Sequence, residues 1–239
     1  MNIPGLINHA CELYSLISDW SKPADKSISE YFKKRKYLGS KDRNFILKTI
    51  YGLIRNRLLL EEIHAKIFSN DISKNFIKEL IYIYYTINEK DQKISSFFEE
   101  YNNLDDIILS EYNHLSSDIK IKCSFPEWMV EEFEKIIPKN EIGTFLEKLN
   151  TPAPITIRII RKDYLKELAD TFKVKGAALN KSEIAPDSYF LSKRINFSEL
   201  KLFKKGFFEV QDEGSQLVTL FSGAKGNIKV LDACSGAGG

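Results

Sequence analysis

Residues 151–160 read TPAPITIRII, and the spacing of apolar residues changes here. Ile155, Ile157 and Ile159 alternate with Thr156, Arg158 and Ile160, the period of a strand with one face buried. Upstream the repeat is helical. In residues 3–20, Leu6, Ala10, Leu13, Ile17 and Trp20 recur at three- and four-residue steps, forming one apolar stripe. In residues 39–63, GSKDRNFILKTIYGLIRNRLLLEEI, Ser40 is the expected N-cap and Asp42 falls in the first turn, near the positive helix end. Phe45, Ile46, Ile50, Leu53 and Ile54 line one face of that helix. PADKSISEYFKKR, KNFIKELIYIYYTI and KISSFFEEYNN complete an all-α domain over residues 1–120.

A second unit is expected over residues 124–210. In SFPEWMVEEFEKIIP, Ser124 is read as the cap and Pro126 as a first-turn residue, with Trp128, Met129, Phe133, Ile136 and Ile137 facing inward. The helical stretches EIGTFLEKL and KDYLKELADTFK flank the strand of residues 155–159, and SYFLSK and GFFEVQ look like further strands. The pattern is that of an α+β fold. Over residues 211–239 the chain has a short helix, DEGSQLVTLFSGA, and then NIKVLDA, whose apolar run suits a buried parallel strand.

The closing stretch, KVLDACSGAGG, places closely spaced glycines after that strand. Such a turn brings backbone N–H groups close to a ligand, at the carboxyl end of the sheet where ligands bind. A dinucleotide site would need a third glycine after Gly236 and Gly238, and a phosphate-binding loop would need Gly-Lys; neither pattern is completed. A strand followed by an acidic residue and spaced glycines also suits S-adenosylmethionine, with Cys234 standing at the first glycine position.

Composition excludes other classes. The 239 residues are 43% hydrophobic and 28% charged, as in ordinary globular chains. No apolar run approaches the ~20 residues of a membrane span, and the N-terminus lacks the form of a signal peptide. Three scattered cysteines and three histidines argue for a reducing, cytoplasmic setting without a disulfide scaffold or metal cluster. The charge is uneven. Residues 22–62 hold eleven Lys/Arg against five Asp/Glu, although the whole chain carries only +2. A basic segment on a near-neutral chain fits a polyanion partner, and equally a solvated helical face.

Two spaced phrases carry a family resemblance. Gln211, Asp212, Glu213, Ser215 and Gln216 fit F-x-V-Q-D-E-x-S-Q, and Val230, Leu231, Asp232, Cys234, Gly238 and Gly239 fit V-L-D-x-C-A-x-x-G-G-K-T. Together they resemble the RsmB/Fmu/Sun family of S-adenosylmethionine-dependent RNA (cytosine-5) methyltransferases. Ser235, Gly236 and Ala237 depart from that family's commoner Ala-Ala-Pro but keep small residues. CSFPEWMVEEF and NTPAPITIRII are similar to the S-x-P-x-W and N-x-x-P-x-x-x-R segments of the same family.

The resemblance implies a multidomain chain: a NusB-like RNA-binding helical domain, a ferredoxin-like (RRM-like) middle domain, and the first strand of a Rossmann-type methyltransferase domain. It implies cofactor contacts from Asp232, Ala233, Cys234, Ser235, Gly236, Ala237, Gly238 and Gly239. RNA contacts are expected from Lys33, Lys34, Arg35, Lys36, Arg43, Arg55, Arg57 and Arg158, and active-site support from Gln211 and Asp212. In such enzymes a cysteine thiolate adds to carbon 6 of cytosine, which makes carbon 5 nucleophilic toward the methyl donor. The two functional cysteines of the family fall in later motifs, beyond Gly239. Cys11 and Cys123 read instead as buried structural thiols. The expectation is therefore an N-terminal portion of such an enzyme, inactive alone, monomeric, binding RNA of ribosomal type, with no metal and no membrane partner. The alternative is a non-catalytic RNA-binding adaptor.

Overall fold

The computed structural model describes residues 2–19, 21–68, 75–88, 94 and 96–233. The chain divides into two compact units, Met1–Thr151 and Pro152–Gly239.

The first unit is helical. Its elements are α1 (Ile3–Ile17), α2 (Ala24–Lys34), α3 (Ser40–Arg55), α4 (Arg57–Ile67), α5 (Phe76–Asn88), a 3-10 helix (Ser96–Leu104), α6 (Asp105–Leu115), α7 (Ile119–Lys122), α8 (Glu127–Glu134) and α9 (Ile142–Leu149). The stripe on α1 is buried at Leu6, Ala10, Leu13 and Ile17, and that on α3 at Ile46, Ile50 and Leu53. Trp20 lies outside the described residues. These side chains join Leu80, Ile81 and Ile83 of α5 in one core. Each fully buried Leu or Ile contributes roughly 1.5–3 kcal/mol to holding it together. KISSFFEEYNN, read as an α-helix, is a 3-10 helix over Ser96–Leu104 with a kink at Phe98.

Helix starts differ from expectation. Gly39, not Ser40, is the N-cap of α3; its N–H donates to Asp42 Oδ2 at 3.2 Å. Ser124 does not cap α8, which starts from Pro126. Ser124 instead takes a left-handed conformation, φ 56°, that terminates α7, and its Oγ accepts from Leu59 N at 3.1 Å. Trp128 is not core: it stands 63% exposed on α8, and Ile136 beyond it is exposed too. The segment packs through Val130, Phe133, Ile142 and Leu146, around Cys123, in a small cluster of its own. That cluster is part of the first compact unit, whose boundary falls at Thr151.

The second unit contains β1 (Ile155–Ile159), α10 (Leu165–Val174), β2 (Leu179–Lys181), β3 (Ser188–Leu191), α11 (Lys201–Lys204), β4 (Phe208–Val210) and α12 (Glu213–Phe221). The sheet order is β2-β3-β1-β4, and every pairing is antiparallel. β3 thus inserts between β1 and β2, which run parallel to each other. Ile157 pairs with Tyr189 on one side and with Val210 on the other. One face of the sheet is apolar: Ile157, Ile159 and Phe208 pack with Leu168 and Phe172 of α10. Gly176, φ +76°, lets the chain leave α10 toward β2.

The segment NIKVLDA, expected as a strand, is irregular rather than part of a sheet. Residues 228–232 have no ladder partner among the described residues, and Ile228, Val230 and Leu231 are exposed. A buried parallel strand exists only when neighbours satisfy its backbone groups and cover its side chains. None of the four described strands pairs with this segment.

Candidate nucleic-acid interface

Of the expected RNA-binding residues, five gather where α2 turns into α3. Lys33 and Lys34 occupy the last turn of α2 and are exposed, as is Lys36. The turn itself is closed by Leu38 N donating to Arg35 O at 3.1 Å, with Leu38 buried beneath it. Arg43 reaches back from α3, its Nε donating to Leu38 O at 2.9 Å and its guanidinium 5.5 Å from the Phe32 ring centroid. Arg35 lies over Tyr31, 3.7 Å from the ring centroid, and pairs with Glu12 of α1. Tyr31 Oη donates to Glu12 Oε2 at 2.7 Å and meets His9 Nδ1 at 2.7 Å. Burial, then the Glu12 carboxylate, drives the Tyr31 phenol far above its ordinary range.

The two arginines are therefore occupied within the fold, while the lysines are not. Lys33, Lys34, Lys36 and Lys41 have no carboxylate partner among the described residues. By contrast Lys22, Lys66, Lys78, Lys120, Lys122 and Lys135 each meet a glutamate. Lys41, on the first turn of α3, was not singled out in the sequence. Its place among the same basic run was the available signal.

Arg55 and Arg57 are not part of this group. Arg55 lies twelve positions after Arg43 on α3, about 18 Å along the axis. Arg55 is exposed at that far end, and Arg57 Nε donates to Glu61 Oε1 at 2.7 Å. Arg57 is held above its ordinary value first by that hydrogen bond.

Arg158, Gln211 and Asp212 lie in the second unit. Arg158 is half-buried on β1, on the face opposite the apolar core, paired across the sheet with Ser188 and Glu209. With Asp187, Gln216 and Thr219 it borders a cavity of about 40 Å³ beside α12. Asp187 in turn meets Lys162 at 2.6 Å. Asp212 is the N-cap of α12, its Oδ2 accepting from Gly214 N at 3.0 Å. Gln211 is buried; its backbone carbonyl accepts from Gln216 Nε2 at 3.1 Å. Its side-chain oxygen, like Thr156 Oγ1, has no hydrogen-bond partner among the described residues.

Asp232 and Ala233, expected at the cofactor, are exposed, and Cys234, Ser235, Gly236, Ala237, Gly238 and Gly239 lie outside the described residues. The loop expected to hold S-adenosylmethionine thus falls almost wholly outside the described residues. The described residues contain no group of three His, Cys, Asp or Glu side chains that could hold a metal ion, and no helix long and apolar enough to cross a membrane.

No family model and no curated protein matches this chain. Among solved structures, the crystal structure of PH0851 superposes with a TM-score of 0.57 at 17% sequence identity. The match covers 92% of this chain and 56% of that one, so this chain spans a little over half the length of its structural neighbour. At this identity the likeness is one of fold.

Proposed function

We propose that this chain is the RNA-binding part of an S-adenosylmethionine-dependent RNA (cytosine-5) methyltransferase of the RsmB/Fmu/Sun type. The observation that carries the proposal is the group of lysines at the α2–α3 turn, Lys33, Lys34, Lys36 and Lys41, which lack carboxylate partners among the described residues. Cations that the fold leaves uncompensated suit a phosphate backbone.

Other features support the same reading. The β-α-β-β-α-β order with β3 inserted between β1 and β2 is that of a ferredoxin-like unit. The fold likeness to PH0851 extends over both units. Val218, Leu220 and Phe221 on α12, and Ile228, Val230 and Leu231 after it, are exposed apolar side chains that a methyltransferase domain could cover. Methyl transfer and the cysteine nucleophile would belong to that domain.

A titration of labelled ribosomal RNA at two salt concentrations tests the proposal. Changing Lys33, Lys34, Lys36 and Lys41 together to Gln should lower the slope of log K against log salt by about 3, each phosphate contact contributing about 0.7–0.9. An unchanged slope would remove these lysines from any RNA interface. Calorimetry with S-adenosylmethionine on the same chain should show no measurable heat of binding.

A further inference from the structure

We propose that Tyr37 is a stacking platform for an unpaired base, so that the α2–α3 surface selects single-stranded or looped RNA over a duplex. This rests on the RNA-binding reading above and assigns it a residue and a substrate form. Tyr37 is 66% exposed at the tip of the turn. A solitary exposed aromatic is ordinary, but three observations set this one apart.

The turn is fixed. Leu38 N donates to Arg35 O, Arg43 Nε donates to Leu38 O, and the buried Leu38 side chain anchors the segment from below. The ring is also supported: it lies 6.0 Å from the His9 ring at 49°, with Tyr37 Oη 3.5 Å from His9 Nε2. A side chain held outward in this way loses little freedom when a flat partner settles on it.

The third observation is charge. Lys33, Lys34, Lys36 and Lys41 flank the ring in sequence and leave their cations uncompensated among the described residues. Trp128, also exposed, sits by contrast between Glu127 and Glu131 in an acidic helix that would repel phosphate. The Tyr37 surface combines an exposed aromatic face with uncompensated cations, as single-strand binders do. In a duplex the base faces are stacked on one another and closed to such a ring.

Fluorescence anisotropy with a labelled single-stranded RNA of about twelve nucleotides and with the matched duplex tests this, since a stacked base contributes by an amount equivalent to about tenfold in affinity. Tyr37→Ala should weaken single-strand binding about tenfold, leave duplex binding unchanged and leave the salt slope unchanged, while Tyr37→Phe keeps wild-type affinity. Thermal unfolding of Tyr37→Ala should match the wild type, because the side chain is largely outside the core. If the four-lysine variant lowers the salt slope but Tyr37→Ala binds as tightly as wild type, stacking is wrong and RNA binding stands. If Tyr37→Ala weakens both RNAs alike, selection of unpaired bases is wrong. If neither RNA binds in a salt-dependent way, both readings fall.

Discussion

Gly52 of α3 presses against the ring of Tyr84 on α5. A Cβ built on Gly52 would lie 2.3 Å from Tyr84 Cζ and 2.6 Å from its hydroxyl oxygen. Both residues are buried, so the missing side chain is what allows these helices to approach there. Gly52→Ala gains roughly 1 kcal/mol of helix propensity, but overpacking against a held ring costs about 1–3 kcal/mol. The expected outcome is a net loss, read as a lower urea midpoint. A variant as stable as wild type would mean that the Tyr84 ring swings away freely.

His64 and Glu79 form a second contact inside the helical core, Nε2 to Oε2 at 2.7 Å, with both side chains 7% exposed. The imidazole is stacked on Phe68 and edge-on to Phe76. Removing one partner strands the other in an apolar site, so Glu79→Ala should cost about 3 kcal/mol. Replacing both by Leu should cost less than the single change, because neither the imidazole nor the carboxylate is then left buried without the other. Chemical denaturation of the three proteins checks this, and equal losses in the single and double variants would exclude it.

The thiols give a pH prediction. Burial pushes the Cys11 thiol up from 9.0 to about 11. Cys123 is also raised by burial. Below pH 9, folded and unfolded chains both keep the Cys11 proton, and the contribution to stability is complete. Between about 9 and 11 the unfolded chain releases it while the folded chain does not, so stability falls as pH rises. Tyr101, pushed up to about 12 chiefly by burial, extends the decline in the same direction. Urea midpoints across this range should drop steadily. At neutral pH, alkylation followed by mass spectrometry should find Cys11 and Cys123 protected until urea is added.

Asp212 caps α12 through Gly214 N. Asp212→Ala should cost about 1 kcal/mol, and Asp212→Asn should retain most of that. Equal stability of wild type and Asp212→Ala would show that the cap contributes nothing.

How much could be read beforehand depended on where the stabilising partner lies. The stripes on α1 and α3 and the alternation of β1 are legible because each element buries one face, and burial imprints its period on the sequence. β2 has three residues and takes its structure from pairing with β3, so no local pattern announces it. Trp128 and the run at Val230 and Leu231 have the composition of buried elements, but the described structure supplies nothing to bury them. At the α2–α3 turn the excess of cations could be seen. That Arg35 is occupied by Glu12 and Arg43 by Leu38 O could not, because those partners are set by the packing of α1, α2 and α3.

α12 rests on the polar face of the sheet and, of its nine residues, buries only Gln216. Amides and hydroxyls have replaced hydrocarbon at that seam, with Gln216 Nε2 reaching Ser188 Oγ at 3.4 Å. Opening the helix therefore exposes little oily surface. In deuterium exchange its backbone protons should wash out by a local excursion, well before those of β1, whose release must await disruption of the whole sheet.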